Sequence, residues 1–510
     1  MMATTKLFSY PVWNLIRVDR ESPIPIYEQI FVQIRHAIVS GQIAKGARLP
    51  PSRSMAQELG MSRNTIVQVY ELLANEGYLQ QRVGAGTFVE TVIPEDHLLR
   101  RGKQAPTADA SSGRPSVRGQ ALLQLGVPAE RLERYDLSPG VPALDEFPYE
   151  TFAQISGRHW RAHTTSSTGY AFTRGVSSLS QQIATYLGEA RGVACEPERI
   201  LIISSTLQAA LLISQVLVDQ GDGVIVEDPC PITQVATFVA NGLVPVPVPI
   251  DDSGLDIDVA KQRAQQAGIV PRLVAASPVG QFPSGASMTA QRRAALLDWA
   301  TGQQAWIFED DFNSEIRWAG QPLPPLFSLD GGHRVIYASS FNRVLAPGLR
   351  LAYMIVPRDL VETFSIAQRI YSCYAPLPDQ ALVAEFMRQG HLASHLRRMR
   401  SIYRERSALL IDCLRTELGA SFIVPDVEAG LHVSIRAKAP IDDVAIATQL
   451  LRHGLDCPAL SHYCSGSTPC HGFVLGFGNT GLTRIPRATA VLARVIRSAL
   501  ASGSPVARQV

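Results

Sequence analysis

The side chains best suited to meeting a nucleic acid gather between Arg48 and Gly86. Ser62, Arg63, Asn64 and Thr65 stand together where a helix is expected to begin, and there free backbone N–H groups and side-chain donors reach phosphates and base edges. Arg48 and Arg53 flank this cluster as candidate phosphate clamps. Arg82 precedes Gly84 and Gly86, whose missing Cβ lets a hairpin approach a DNA backbone and carry the arginine toward the adjacent minor groove. A small helical domain whose arginines merely solvate its surface is the alternative at this point.

The surrounding residues supply the elements that would hold this cluster. From Pro23 to about Ser40, Ile26, Ile30, Ile34, Ala37 and Ile38 recur at helical spacing, and Gly41 is placed to end the helix. Pro50 and Pro51 break the chain, Ser52 is positioned to cap a short helix through Leu59, and Gly60 supplies the turn before a second cap at Ser62. The next helix carries Ile66, Val69, Leu72 and Leu73 inward. Two strand-like runs, Tyr78–Arg82 and Thr87–Val89, surround Val83-Gly84-Ala85-Gly86 and predict a hairpin. Helix, turn, helix and wing follow in order.

At 510 residues the chain exceeds one usual hydrophobic core. A formal net charge of +2 is too small to identify a polyanion partner, so the nucleic-acid argument rests on the local patch. No run of about 20 apolar residues offers a membrane span, and a cytoplasmic protein is expected. The seven cysteines lack metal-site spacing, Cys457, Cys464 and Cys470 included, and read as reduced thiols. Lysine is scarce: Lys6, Lys45, Lys103, Lys261 and Lys438 stand against 42 arginines. The pattern gives three regions: a DNA-binding head at 20–90, a flexible linker at 91–134 rich in Ala, Gly, Pro, Ser and Arg, and a large domain at 135–510. In the last, apolar runs at Arg199–Ile203, Gly223–Val226, Leu273–Ala276 and Ala305–Phe308 alternate with helix-length segments. That is the grammar of an α/β domain with a mainly parallel sheet, whose ligands collect at the carboxyl ends of the strands.

From Pro25-Ile-Tyr-Glu-Gln-Ile to Gly84-Ala-Gly-Thr-Phe-Val the chain resembles the GntR-type winged helix-turn-helix. Five further blocks resemble fold-type I aminotransferases: Gly169–Val176, Gly221–Pro229, Gln281–Gly285, Glu309–Arg317 and Ser340–Arg350. A GntR head fused to such a domain is similar to the MocR subfamily of regulators. The resemblance implies the fold of a pyridoxal-phosphate-dependent transferase, with large and small subdomains. It also implies a double-stranded DNA operator, a small-molecule effector and a head-to-tail homodimer.

The resemblance also implies roles at the cofactor site. Asp310 would pair with the pyridinium nitrogen. Ser205 and Thr206, at a helix start, would cradle the phosphate together with Arg350. The family's Schiff-base lysine is replaced by Arg343, and guanidinium is a poor nucleophile at neutral pH. Phe312 stands where the family has a tyrosine, Pro231 where an aromatic ring partner is expected, and Gly280 where a histidine is usual. His462 falls where relatives often present an arginine to substrate. Two arrangements are expected for Arg343: pairing with Asp310, or binding an anionic ligand. The expectation is a transcription regulator sensing a small anion, pyridoxal phosphate held without a covalent bond being one such ligand, and no catalysis. The rivals are a working aminotransferase with an appended DNA-binding head and a regulator whose sensor is dead.

Overall fold

The structure is a computed structural model that describes residues 12–82, 84–94, 115–127, 135–162, 176–320, 324–371, 374–465 and 470–501. The chain divides into two compact units at Arg114/Pro115. Among the described residues no helix is long and apolar enough to cross a membrane.

The first unit holds α1 (Ile26–Val39), α2 (Ser52–Leu59), α3 (Arg63–Asn75), β1 (Leu79–Arg82) and β2 (Gly86–Val89). Ile30, Ile34, Met55, Ile66, Val69 and Leu73 close its core at 0–1% exposure, each such side chain contributing about 1.5–3 kcal/mol by leaving water. Gly60 ends α2 in the left-handed region at φ 64°, the conformation that a Cβ disfavours. Ser52 does not cap α2: Pro51 occupies the cap position and Ser52 is already helical, since a proline's fixed φ and extended ψ set the entry angle without a side-chain acceptor. β1 and β2 pair antiparallel, with Leu79 opposite Val89 and Arg82 opposite Gly86.

In the second unit the stretch expected as flexible linker contains α4 (Val117–Leu123), capped by the Ser116 side chain accepting from Gly119 N; Arg118 Nη2 donates to the Ala240 carbonyl at 2.8 Å. There follow α5 (Tyr149–Arg161), α6 (Ser177–Arg191), β3 (Ile200–Ile203), α7 (Thr206–Val216), β4 (Gly223–Asp228), α8 (Ile232–Ala240), β5 (Val244–Pro249), α9 (Ile257–Ala267), β6 (Pro271–Ala276), α10 (Ala290–Gln303), β7 (Trp306–Asp310), α11 (Leu326–Asp330), β8 (Val335–Ser340) and β9 (Ala352–Ile355). The seven strands run in the order β3-β9-β8-β7-β6-β4-β5. β9 is antiparallel to both neighbours and the others pair parallel.

Alternation along the strands builds a core on each face. Ile200, Ile202, Val274, Ala276 and Ile307 join one buried cluster, while Leu201, Ile203, Leu273, Ala275 and Phe308 join the other. β5 escapes a hydrophobic-run reading because Pro245, Pro247 and Pro249 alternate with valines. At an edge, every second backbone N–H points away from the sheet, so three prolines cost no ladder bond.

The chain continues through α12 (Val361–Tyr371), α13 (Leu377–Arg388) and the long α14 (His391–Leu418) into β10 (Phe422–Ile423), β11 (His432–Ala437), α15 (Asp443–Arg452), β12 (Gly472–Gly476) and α16 (Ile485–Ala501). β10, β11 and β12 form a separate antiparallel sheet. Cys464 and Cys470, expected as reduced thiols, are joined as a disulfide. The turn at Leu460–Tyr463 brings both sulfurs beside the Leu460 carbonyl.

Candidate functional site

In the head, Ser62 caps α3: its Oγ accepts from Thr65 N at 3.1 Å and lies 2.8 Å from the Thr65 hydroxyl. The cap occupies those two hydroxyls and leaves Arg63 and Asn64 exposed on the first turn. Arg53 is exposed on α2. Arg48 and Arg82 both approach the Phe88 ring, at 6.0 and 5.0 Å from its centroid, so the wing carries two guanidinium groups on one aromatic support. Arg82 Nε is held further by Gln80 at 3.0 Å. At Gly86, φ is +111° and a Cβ would lie 2.9 Å from Arg48 Nε. The glycine thus makes room for an arginine of its own domain. Gly84, exposed at φ +75°, meets nothing within 4 Å.

In the second unit, the ends of β3, β7 and β8 converge. Ser205 caps α7 with its hydroxyl, accepting from Gln208 N at 3.2 Å. Thr206, the first residue of α7, donates its hydroxyl to Asp310, the last residue of β7. After β8, Asn342 donates to the Ser204 carbonyl at 3.4 Å and accepts from Leu351 N at 3.0 Å, stapling the turn that presents Arg343. The Arg343 guanidinium lies 4.3 Å from the Phe312 ring centroid and 5.5 Å from that of Phe282. It also comes within 3.4 Å of where a Cβ on Gly140 would stand, at φ +76°. Phe282, Phe312, Leu460 and Val474 form one small buried cluster, with Tyr463 packed against it. His432 stacks edge-on to Phe282 at 4.7 Å and bonds the Pro283 carbonyl through Nε2 at 3.1 Å.

Burial dominates the electrostatics of this pocket. It pushes Asp310 up to about 7, against the pull of Arg343 and the Thr206 hydroxyl. It pushes Arg343 down to about 10, against Asp310 and Tyr463. His432 is driven down to about 3, by burial first and then by the Arg343 charge, and so stays neutral. Glu227, at the end of β4, is raised by burial to about 8. Arg343 and Asp310 form no ion pair within 4.0 Å. Each keeps one buried atom with no partner among the described residues, Nη1 of Arg343 and Oδ1 of Asp310.

Residues 26–89 match the family described as bacterial regulatory proteins of the gntR family, and residues 137–463 match aminotransferase class I and II. Over 468 residues the chain is 32% identical to the probable rhizopine catabolism regulatory protein MocR of Rhizobium meliloti, covering 91% of this chain and 92% of that one. This chain belongs to the MocR-type family of GntR regulators. Its members are DNA-binding transcription regulators with an aminotransferase-like domain. Another relative, at 31% identity over 91% of this chain and 94% of its own, is the HTH-type pyridoxine biosynthesis transcriptional regulator PdxR of Corynebacterium glutamicum. Among solved structures, an archaeal alanine:glyoxylate aminotransferase superposes with a TM-score of 0.68 at 24% identity, covering 74% of this chain and 93% of that one. LysN, the α-aminoadipate aminotransferase of Thermus thermophilus, gives 0.67 at 24%, covering 76% and 96%. These likenesses show that the large domain of this MocR-type regulator has the fold of the pyridoxal-phosphate-dependent aminotransferases.

Within that fold the residues singled out from the sequence separate into two groups. Ser205, Thr206, Asp310, Phe312 and Arg343 come together around one pocket. Arg350, expected in the phosphate cradle, is exposed at φ 48°; its backbone N–H donates to the Pro347 carbonyl at 3.2 Å, and its guanidinium bonds no acceptor among the described residues. Pro231 caps α8, and Gly280 takes φ +56° while its carbonyl accepts from Asn313 at 2.6 Å. His462 is exposed, and it is the adjacent Tyr463 that packs toward the pocket, 5.3 Å from Phe282. Residues 169–175 of the first aminotransferase-like block lie outside the described residues. Sequence reasoning missed Phe282, His432, Tyr463, Val474, Gly140 and Asn342 as pocket residues. Phe282 and Asn342 sat inside quoted motifs; the others reach the pocket from distant parts of the chain and carry no local signal.

Proposed function

We propose that this regulator couples operator binding to a small anionic ligand held in its aminotransferase-like domain, and that the domain does not catalyse transamination. The observation that carries the reading is the buried pair of groups unsatisfied among the described residues, Arg343 Nη1 and Asp310 Oδ1, with the Arg343 guanidinium over the Phe312 ring. A buried polar atom without a partner is costly, and a ligand bearing both an oxyanion or carbonyl and a protonated ring nitrogen relieves both costs at once. Pyridoxal phosphate fits this pattern. Asp310 would hold its ring nitrogen, Arg343 would bind an oxygen on the ring's opposite portion, and the start of α7 would receive the phosphate. When bound in a lysine-bearing site, this group supplies an electron sink for amino-acid chemistry. Here Arg343 keeps its proton at neutral pH, so the pocket binds and orients without a covalent link.

The head at 20–90 reads the operator: Arg63 and Asn64 meet bases from the first turn of α3, Ser62 and Thr65 fix that turn, Arg48 and Arg53 hold phosphates, and Arg82 enters the adjacent minor groove, with Gly84 and Gly86 shaping the wing. Within the segment 91–134, the part before Pro115 tethers the head to the second unit, to which the helix Val117–Leu123 belongs. In a head-to-tail homodimer, the ligand favours one of two arrangements of the paired heads and so selects the half-site spacing that binds.

The test is an absorption spectrum of the full chain after incubation with pyridoxal phosphate and desalting, with operator affinity measured with and without the ligand. Retained free-aldehyde absorption and a changed affinity are expected. Turnover of any amino acid with a keto acid above that of an Asp310→Ala control overturns the non-catalytic reading; no retention together with no change in DNA affinity overturns the ligand reading.

A further inference from the structure

A second cavity, about 320 Å³, opens beside the segment that leaves β7. Ser314 and Arg317 of that segment line it, whereas Asp310, Phe312 and Arg343 do not. Two adjacent residues at a strand end point to opposite sides, and the carboxylates here divide accordingly. Asp310 accepts the Thr206 hydroxyl and feels the Arg343 charge, while Asp311 takes the Tyr337 hydroxyl at 2.7 Å and Arg191 at 3.0 Å.

The walls of the cavity carry four guanidinium groups, Arg191, Arg293, Arg317 and Arg400, with the hydroxyls of Ser287 and Ser314. They differ in what they have left to donate. Arg293 is fully engaged, giving its three nitrogens to the carbonyls of Met288, Pro324 and Pro278 at 2.7–3.0 Å. Arg191 is held by Asp311 and the Ser314 hydroxyl. Arg317 gives Nη2 to Glu428 at 2.9 Å, yet its Nε is buried with no acceptor among the described residues. Arg400 uses Nε on the Glu315 carbonyl at 2.9 Å, and its two terminal nitrogens bond no acceptor among the described residues.

Four carboxylates, Asp311, Glu309, Glu315 and Glu428, neighbour these cations, and none accepts from the Arg317 Nε or the terminal nitrogens of Arg400 among the described residues. Asp311 is committed to Arg191, and the Glu428 side chain is 57% exposed and screened by water. Glu315 lies 3.9 Å from Arg191 Nη1 and accepts from Tyr186, and burial raises its carboxyl against the pull of Arg191 and Arg400. Burial lowers the Arg293 pKa; the Glu309 and Asp311 carboxylates oppose it, ahead of the smaller downward push of Arg191 and Arg317. A planar guanidinium presents a fork of donors matched to phosphate or carboxylate oxygens, and the free donors of Arg317 and Arg400 lack that partner.

We propose that this cavity binds a compact anion with two or more negative charges, a phosphate or dicarboxylate held by Arg317 and Arg400, at a site separate from Arg343. The inference is independent of what occupies the Asp310 pocket.

Isothermal titration of the full chain with inorganic pyrophosphate and, in parallel, with succinate, at ionic strength matched by sodium chloride, tests it. Saturable binding of at least one probe is expected, weakened tenfold or more by Arg317→Gln and by Arg400→Gln and changed less than twofold by Arg343→Met. A response to pyrophosphate alone supports a phosphate ligand, and one to succinate alone a carboxylate. No saturable binding of either, or a loss that follows Arg343→Met instead, overturns the proposal. The unsubstituted protein gives a check that needs no variant: either probe is expected to slow phenylglyoxal labelling of Arg317 and Arg400, read by peptide mass spectrometry. Labelling that neither probe alters also overturns it.

Discussion

Replacing Arg343 by lysine asks whether this one side chain keeps the aminotransferase-like pocket from capturing an aldehyde. Burial brings the Arg343 guanidinium down to about 10. A lysine ammonium in the same place starts lower, at about 10.4, and the same burial pushes it further down. Each unit of that drop raises the neutral-amine fraction at pH 7 about tenfold above the roughly one in 2,500 of a solvated lysine. The sign of the pH dependence follows: capture rises with pH as the amine loses its proton. The aromatic walls remain, since the ring supports of residue 343 are Phe312 and Phe282. The assay is incubation with pyridoxal phosphate, borohydride reduction and peptide mapping, beside the unsubstituted protein. A pyridoxyl group on residue 343 of the variant, with none on Arg343 of the parent, is expected. A folded variant that captures nothing between pH 7 and 9, or captures only at Lys261 or Lys438, refutes the reasoning.

The other expectations concern the head and the buried carboxylates. Asn64→Ala weakens operator binding by about 1–3 kcal/mol without altering the salt slope, whereas Arg53→Ala lowers that slope by about one, both read from fluorescence anisotropy at several salt concentrations. Equal salt slopes for both variants would contradict the division into base and phosphate contacts. Gly86→Ala places a Cβ against Arg48 at positive φ, so it lowers the melting temperature and displaces the wing arginine, with a loss of DNA affinity exceeding that of Gly84→Ala; comparable losses would remove the role given to the Arg48 contact. Folding raises the Asp310 carboxyl from about 4 to about 7, so this group subtracts stability as pH rises through that window, and the penalty is complete above it. Asp310→Asn therefore stabilises more at pH 8 than at pH 5 in thermal melts while abolishing retention of pyridoxal phosphate, and an equal shift at both pH values would refute the assignment.

Much of the head was legible because its signals are local. Ser62 as a cap, Gly60 as a turn and the glycines of the wing each act within a few residues, and the structure places them as the spacing suggested. Ser52 misled because a proline at the preceding position does the capping residue's geometric work without a hydrogen bond. In the sheet, β3, β4, β6 and β7 announce themselves as unbroken apolar runs. β5 hides its strand character behind three prolines, and the hydroxyls of β8 blur its end. At the pocket, Asp310, Phe312 and Arg343 were readable through motifs. His432, Tyr463 and Val474 arrive from the other subdomain, and no periodicity reports a contact made across 100 or more residues. The arginine cavity is concealed for the same reason: Arg191, Arg293, Arg317 and Arg400 come from three helices and a loop, in a chain already crowded with arginine.

The proline-studded β5 has a consequence between molecules as well as within one. A terminal strand of a parallel sheet normally offers a ladder of free amide hydrogens, which is what a stray peptide or a partly unfolded neighbour needs to add itself and propagate a fibre. Pro245, Pro247 and Pro249 delete those donors on the outward side while the intervening valines still pair with β4. Recruitment through that edge is thereby blocked without sacrificing a single inward bond, and exchanging the three prolines for threonines would be expected to leave the sheet intact while making concentrated protein prone to thioflavin-positive aggregation.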